Sequence, residues 1–184
     1  MKKIETHIDG LFIIENIIFN DERGMFVESW NKNKFEKENL ESFFLQDNMS
    51  ISKKNVIRGL HFQNEPYSQT KLVSVVKGKA LDVVVDIRKK SKTFGEYLAI
   101  ELSDSNHRML WIPTGFAHGF LTLEENTIFT YKCSRIYQEK HEYTIKWNDK
   151  EIGIKWGIKT PIISEKDKLG ISLKQYKESN NLNG

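Results

Sequence analysis

The sequence predicts an all-β domain built as a sandwich or barrel, and two observations carry that expectation. Apolar and β-branched residues recur in short runs along most of the chain, and polar turns rather than helical stretches separate those runs. In chain order, Leu11–Ile14 and Met25–Trp30 read as strands flanking the turn Asn20-Asp21-Glu22-Arg23-Gly24. Residues Asn31 to Leu40 are polar and lysine-rich, with Phe35 and Leu40 as anchors, and read as a short helix. Lys71–Val76 and Ala80–Ile87 are β-branched runs joined by Lys77-Gly78-Lys79, a tight link that reads as a hairpin. Further strands are expected at Tyr97–Leu102, Met109–Ile112, Gly119–Leu123 and Thr127–Cys133, with turns at Ser103–Asn106 and Glu124–Asn126. The Asn- and Lys-rich tail from Lys174 to Gly184 is expected to fray.

The chain has 184 residues and shows no internal repeat or linker, so one domain spanning 1–184 is expected. Net charge is +3, drawn largely from scattered lysines such as Lys53-Lys54 and Lys89-Lys90. A nucleic-acid partner would call for a clustered basic patch, so none is expected. No apolar run is long enough to span a membrane, and Lys2, Lys3 and Glu5 stand where a signal peptide would be apolar. A cytoplasmic location is therefore expected, and the single cysteine, Cys133, fits a reducing compartment.

Four stretches place polar residues in strand contexts. In Arg58-Gly59-Leu60-His61-Phe62-Gln63, strand alternation turns His61 away from Leu60 and Phe62, toward solvent or a lumen. It reads equally as a structural histidine. In Ile112-Pro113-Thr114-Gly115-Phe116-Ala117-His118, the Pro-x-Gly-x-x-His spacing resembles the second half of the metal-binding cupin motif. Its first half would need a His-x-His pair and a following Glu, whereas only His61 is offered, and His7, His107 and His141 sit in no comparable spacing. No metal is expected. Tyr131 on its strand is either packing or an acid partner for a base across a small cavity. Asp167, in Ser164-Glu165-Lys166-Asp167, matters if the fold returns it to His61, where a carboxylate would fix the imidazole tautomer.

Together these stretches resemble the dTDP-4-dehydrorhamnose 3,5-epimerase family from about Asp21 to Lys168. Also carrying the resemblance are Asp21–Gly24, Gln46-Asp47-Asn48, Lys71-Leu72-Val73, Val85–Arg88, Tyr131-Lys132 and Trp147-Asn148-Asp149. The resemblance implies a double-stranded β-helix (cupin, jelly-roll) fold, a homodimer, and no cofactor. It implies inversion of C3 and C5 of dTDP-4-dehydro-6-deoxy-glucose; relatives that act at one centre, or move the carbonyl of another 4-keto sugar, keep most of these motifs. By the same resemblance His61 is the base, Asp167 its orienting partner, Tyr131 the opposing acid, and Lys71 the cation beside the sugar O4. His118 lines the pocket, Arg23 and Arg58 match diphosphate contacts, and Gln46, Asn48, Tyr137 and Glu142 match positions near the nucleotide. Tyr137 is the residue expected to stack on thymine, and Phe26, Glu28 and Lys166 complete the implied binding set.

One tension is visible in the sequence itself. Regular alternation puts Arg58 and His61 on opposite faces, and Gly59 between them permits a bulge that would bring both to one face. Small departures from the family pattern fall in the Asn64–Thr70 loop, with its single proline, and at Gly157, where proline is more usual.

Overall fold

The structure, a computed structural model, describes residues 1–40, 43–179, 181–182 and 184. Its strands are β1 (Lys2–Glu5), β2 (Phe12–Glu15), β3 (Ile18–Asp21), β4 (Gly24–Val27), β5 (Gln46–Ser52), β6 (Ile57–Gln63) and β7 (Lys71–Lys77). They continue as β8 (Lys79–Asp86), β9 (Tyr97–Ser103), β10 (Arg108–Ile112), β11 (Phe116–Thr122), β12 (Thr127–Cys133) and β13 (Glu142–Thr144). Among the described residues three short α-helices, α1 (Lys32–Lys37), α2 (Glu165–Lys168) and α3 (Leu173–Glu178), and a 3₁₀ turn at Glu139–His141 complete the order. A six-stranded sheet, β1-β2-β10-β7-β12-β5, faces a five-stranded sheet, β13-β6-β11-β8-β9, and β3 and β4 form a separate two-stranded hairpin. All strand pairings are antiparallel. The expected all-β jelly-roll architecture is what the chain adopts.

Alternation divides each sheet into an inner and an outer face. Val73 and Val75 of β7, Phe129 of β12, Ala80 and Val84 of β8, and Phe116 and Phe120 of β11 meet between the sheets in one apolar cluster. Phe120 and Phe129 stack with centroids 3.9 Å apart. The outer face of the six-stranded sheet, with Ile14, Leu72, Met109 and Trp111, is covered by Phe35 of α1 and by Leu40. Asn31 caps that helix, its side chain accepting from the Lys34 amide, so the helix lies where the sequence placed it.

The expected hairpin across Gly78 is not formed. β7 pairs with β10 and β12, whereas β8 pairs with β11 and β9. Both edges of each strand are taken by distant partners, and the link carries the chain from one sheet to the other. Gly78 turns that corner at φ +78°, where a Cβ would lie 2.8 Å from Thr127 Oγ1.

The expected fraying of the tail is also corrected over part of its length, since Leu173–Glu178 is helical. Ser172 and Gln175 form a reciprocal capping box at its start. Leu173, Tyr176 and Leu182 pack on the outer face of the five-stranded sheet with Phe62, Val83, Val85 and Trp156. Tyr176 is 1% exposed, and its ring meets Phe62 edge-on at 5.3 Å. Asn180 and Asn183 lie outside the described residues. Replacing Tyr176 with alanine is expected to cost roughly 3–5 kcal/mol, the range for large buried aromatics. Chemical denaturation reads this directly; a loss under about 1 kcal/mol would mean the helix is not part of the core.

Candidate active site

The inner faces that are apolar at one end of the barrel are polar at the other. β7 ends its inward series Val75, Val73 with Lys71, and β12 continues from Phe129 to Tyr131 and Cys133. β11 places His118 between Phe116 and Phe120, and β5 contributes Asn48 and Ser50. These residues line a cavity of about 630 Å³ with Arg58, His61, Glu142, Lys166 and Asp167. A smaller adjoining cavity of about 300 Å³ shares Asn48, His61, Lys71, Tyr131, Glu142 and Lys166 and adds Gln46, Gln63, Gln69 and Tyr137.

β6 resolves the tension between Arg58 and His61. His118 pairs with His61 while Phe120 pairs with Arg58, so three steps on β6 oppose two on β11. That extra residue is a bulge at Gly59. Ile57, Leu60 and Phe62 consequently pack in the outer cluster while Arg58 and His61 both face the cavity. Gly59 has φ +122°, and a Cβ there would lie 2.5 Å from Gly119 Cα and 2.7 Å from the His118 carbonyl oxygen. No other residue fits the bulge without moving β11.

His61 Nε2 lies 2.6 Å from Asp167 Oδ1, and the Gly59 amide donates to Asp167 Oδ2 at 3.2 Å. Asp167 sits in the one-turn helix α2, capped by Ser164, and is nearly fully buried. Burial alone would push its carboxyl up, but the hydrogen bond and charge of His61 and the Gly59 amide outweigh it and hold the group below the usual carboxylate range. Asp167 is therefore a carboxylate that accepts the Nε2–H of His61, leaving Nδ1 with its lone pair. Nδ1 stands 4.0 Å from Glu142 Oε1 on the cavity side.

Burial pushes the Lys71 ammonium below the ordinary lysine range, and Cys133, Glu142 and Asp82 draw it part of the way back. Burial, with Cys133 and Glu142, pushes the Tyr131 phenol up, which keeps it protonated at neutral pH. Lys71 Nζ lies 6.0 Å from the Tyr131 ring centroid. Among the described residues neither the Lys71 amine nor the Tyr131 hydroxyl has a hydrogen-bonding protein partner, so both are free to meet a ligand.

At the mouth, Tyr137 donates its hydroxyl to Glu142 Oε2 at 2.7 Å, and Lys166 also reaches Glu142 Oε2. The Gln46 side-chain Oε1 accepts from the Tyr137 backbone N–H at 2.7 Å, and its Nε2 donates to Asn48 Oδ1 at 2.9 Å. Arg58 donates Nε to Ser52 at 3.1 Å and leaves the rest of its guanidinium exposed. Eleven expected site residues thus converge: Gln46, Asn48, Arg58, His61, Lys71, His118, Tyr131, Tyr137, Glu142, Lys166 and Asp167.

Arg23, Phe26 and Glu28 do not join them within one chain. Arg23 and Phe26 belong to the β3–β4 hairpin, where the Arg23 side chain is 86% exposed and, among the described residues, paired only with Asp21 at 2.5 Å. Glu28 bonds Asn31 and Lys34 beside α1. The hairpin is a separate sheet, so nothing in the barrel's own hydrogen bonding carries it to the cavity.

Ser50 and Asp82 were not singled out from the sequence. Asp82 is the one charged residue in the inward series Ala80, Asp82, Val84, a break in alternation that could have marked it. Among the described residues no three His, Cys, Asp or Glu side chains converge as a metal site.

Residues 5–175 match the family model for dTDP-4-dehydrorhamnose 3,5-epimerase. A dTDP-4-dehydrorhamnose 3,5-epimerase of Shigella flexneri is 48% identical over 168 residues, spanning 91% of this chain and 93% of its own. The crystal structure of an epimerase from Legionella pneumophila, in complex with dTDP-4-keto-L-rhamnose, superposes with a TM-score of 0.90 at 43% identity. That match covers 94% of this chain and 93% of that one. A 3'-monoepimerase from Streptomyces bikiniensis, in complex with dTDP-quinovose, superposes with a TM-score of 0.91 at 27% identity, covering 96% and 90%.

Proposed function

Because the chain belongs to the dTDP-4-dehydrorhamnose 3,5-epimerase family, we propose that it inverts C3 and C5 of dTDP-4-dehydro-6-deoxy-D-glucose to give dTDP-4-dehydro-L-rhamnose. The observation that carries this reading is the facing of a carboxylate-bonded imidazole, His61 on Asp167, by a buried phenol, Tyr131, across a cavity that also holds a free ammonium, Lys71. Epimerisation beside a ketone needs those three groups. A base removes the C–H proton, a cation or donor receives the charge on O4, and an acid returns a proton to the opposite face.

At each centre Nδ1 of His61 takes the proton, and the electron pair of the C–H bond becomes the enolate with its charge on O4. Asp167 stabilises the imidazolium so formed. Lys71 stands against the enolate oxygen, in a setting where desolvation strengthens that attraction. The Tyr131 hydroxyl then protonates the carbon from the other face. The phenolate regains its proton, and His61 loses one, so the enzyme returns to its starting state with one C–H replaced by another. Arg58 suits the diphosphate, and the smaller cavity under Tyr137, Gln46 and Asn48 suits the base and ribose.

The higher identity to 3,5-epimerases than to the monoepimerase, 48% and 43% against 27%, favours inversion at both centres. Incubation with the substrate should give a product whose proton couplings show both C3 and C5 inverted. Recovery of a sugar inverted at one centre only would contradict this.

The protein acts as a homodimer in the cytoplasm, on this reading. Phe19, Met25 and Phe26 of the β3–β4 hairpin, and Met49, Ile51 and Val76 of the six-stranded sheet, are large exposed apolar side chains that a second copy would cover. The same contact would deliver Arg23, Phe26 and Glu28 to the partner's cavity. Coexpression of Arg23→Ala and His61→Ala chains tests this, since a mixed dimer would rebuild one intact site. Activity well above either variant alone is expected; none above them would place Arg23 outside the partner's site.

A further inference from the structure

Arg58 lines the cavity, and among the described residues its guanidinium meets no carboxylate of this chain; its side-chain bond is from Nε to Ser52 Oγ, at 3.1 Å. Ser52 is buried, at 5% exposure. It closes β5 on the same face as Asn48 and Ser50, which line the cavity. Arg58 is the second residue of β6. Since β5 belongs to the six-stranded sheet and β6 to the five-stranded one, the bond crosses from one sheet to the other beside the cavity. The link between the two strands is pinned on both sides. The Thr122 hydroxyl donates to the Lys53 carbonyl oxygen and accepts from the Val56 amide at 3.1 Å. The Ile57 amide donates to the Ile162 carbonyl oxygen at 3.0 Å, and the Ile162 amide to that of Asn55 at 2.8 Å. The Ser52 hydroxyl is therefore held by a strand end and a fixed turn, a rigid point from which to hold a long side chain.

We infer that Ser52 is a positioning residue for substrate binding: it takes the Nε–H of Arg58 and so presents the two terminal nitrogens, Nη1 and Nη2, to the diphosphate. The inference rests on the epimerase reading above and deepens it. A guanidinium carries five N–H donors in a rigid plane, and it meets phosphate oxygens in pairs, either along the Nε–Nη edge or across the Nη–Nη end. The single hydrogen on Nε is given to Ser52. The edge is thereby closed to a bidentate partner, and the end remains open. Arg58 is exposed, so a diphosphate would otherwise have to order the whole side chain as it binds. Ser52 does part of that ordering in advance, which lowers the entropic cost of binding.

The test compares dissociation constants of dTDP and of thymidine, which has no phosphate, for wild type, Ser52→Ala, Arg58→Ala and the double variant. Ser52→Ala is expected to weaken dTDP ~3–10-fold, the scale of one ordinary hydrogen bond, and to leave thymidine unchanged. In the Arg58→Ala background the same substitution should weaken dTDP no further, because the hydroxyl then has no arginine to hold. In turnover the loss should fall on KM more than on kcat. Equal losses for thymidine and dTDP would make the bond a tie between the sheets and overturn the inference. Losses that add in the double variant would make Ser52 a direct contact and overturn it as well, as would wild-type dTDP affinity in Ser52→Ala or an effect on kcat alone. A wild-type chain that binds dTDP and turns nothing over sinks the epimerase reading, while the cycle still reads Ser52; a wild-type chain that binds no dTDP sinks both.

Discussion

Replacing His61 with alanine is expected to lower kcat by ~10²–10⁴-fold, the span attributable to a positioned general base. The side chain is partly exposed at the cavity and contributes no volume to the apolar clusters, so the fold is expected to survive. What the variant loses in stability is the bond to Asp167, about 1–3 kcal/mol for a buried acceptor left with fewer partners. Circular dichroism and a thermal melt separate that cost from the kinetic one. A variant that melts cooperatively and still turns over at the wild-type rate would remove His61 from the chemistry. It would leave the His61–Asp167 bond as a structural feature that ties α2 to β6.

Tyr131→Phe is expected to act differently, because the hydroxyl meets no protein partner and its loss leaves nothing in the barrel unpaired. Stability should be nearly unchanged. The variant keeps the base and the ammonium, so proton abstraction continues, but no acid stands on the far face. Inversion is expected to fall by ~10²–10⁴-fold while exchange of the C–H proton with solvent falls much less. The ratio of exchange to inversion therefore rises, and a mass-spectrometric and NMR comparison of the two rates reads it. An effect on KM alone would make Tyr131 a binding residue and put the acid elsewhere.

Much of the barrel was legible in the sequence because alternation survives where one face is buried. The runs at Lys71–Val76, Ala80–Ile87 and Thr127–Cys133 carry β-branched residues at inward positions, and each is a strand. The polar strand β5, Gln46 to Ser52, escaped because its inward residues line the cavity and its outward Met49 and Ile51 are exposed, which erases the contrast that marks a strand. β1 and β3 are four residues long like β2 and β4, but Lys2, Lys3 and Glu5 in β1 and Asn20 and Asp21 in β3 leave too few apolar residues to mark a strand. The false hairpin at Gly78 came from reading a tight glycine link as local pairing, when the partners of β7 and β8 lie far along the chain. Local sequence reports the turn and not the sheet on either side of it.

The site was legible for a different reason. His61, Tyr131 and Asp167 stand out as polar residues in their stretches and Lys71 was placed by resemblance, but only the fold brings His61 and Asp167, 106 positions apart, to 2.6 Å. The bulge at Gly59 could be anticipated from one glycine and a conflict of faces, and the register with β11 bears it out. Arg23, Phe26 and Glu28 were placed by resemblance, and their sequence carries no signal of where the β3–β4 hairpin docks.

The central claim is that His61 removes protons beside the 4-keto group at two carbons. NMR of dTDP-4-dehydro-6-deoxy-glucose incubated with the protein in D₂O, followed at C3 and C5, tests it most directly. Deuterium at both positions with the wild-type chain, and at neither with His61→Ala, is the predicted result. Deuterium at one position only, or equal incorporation by the two proteins, would contradict it.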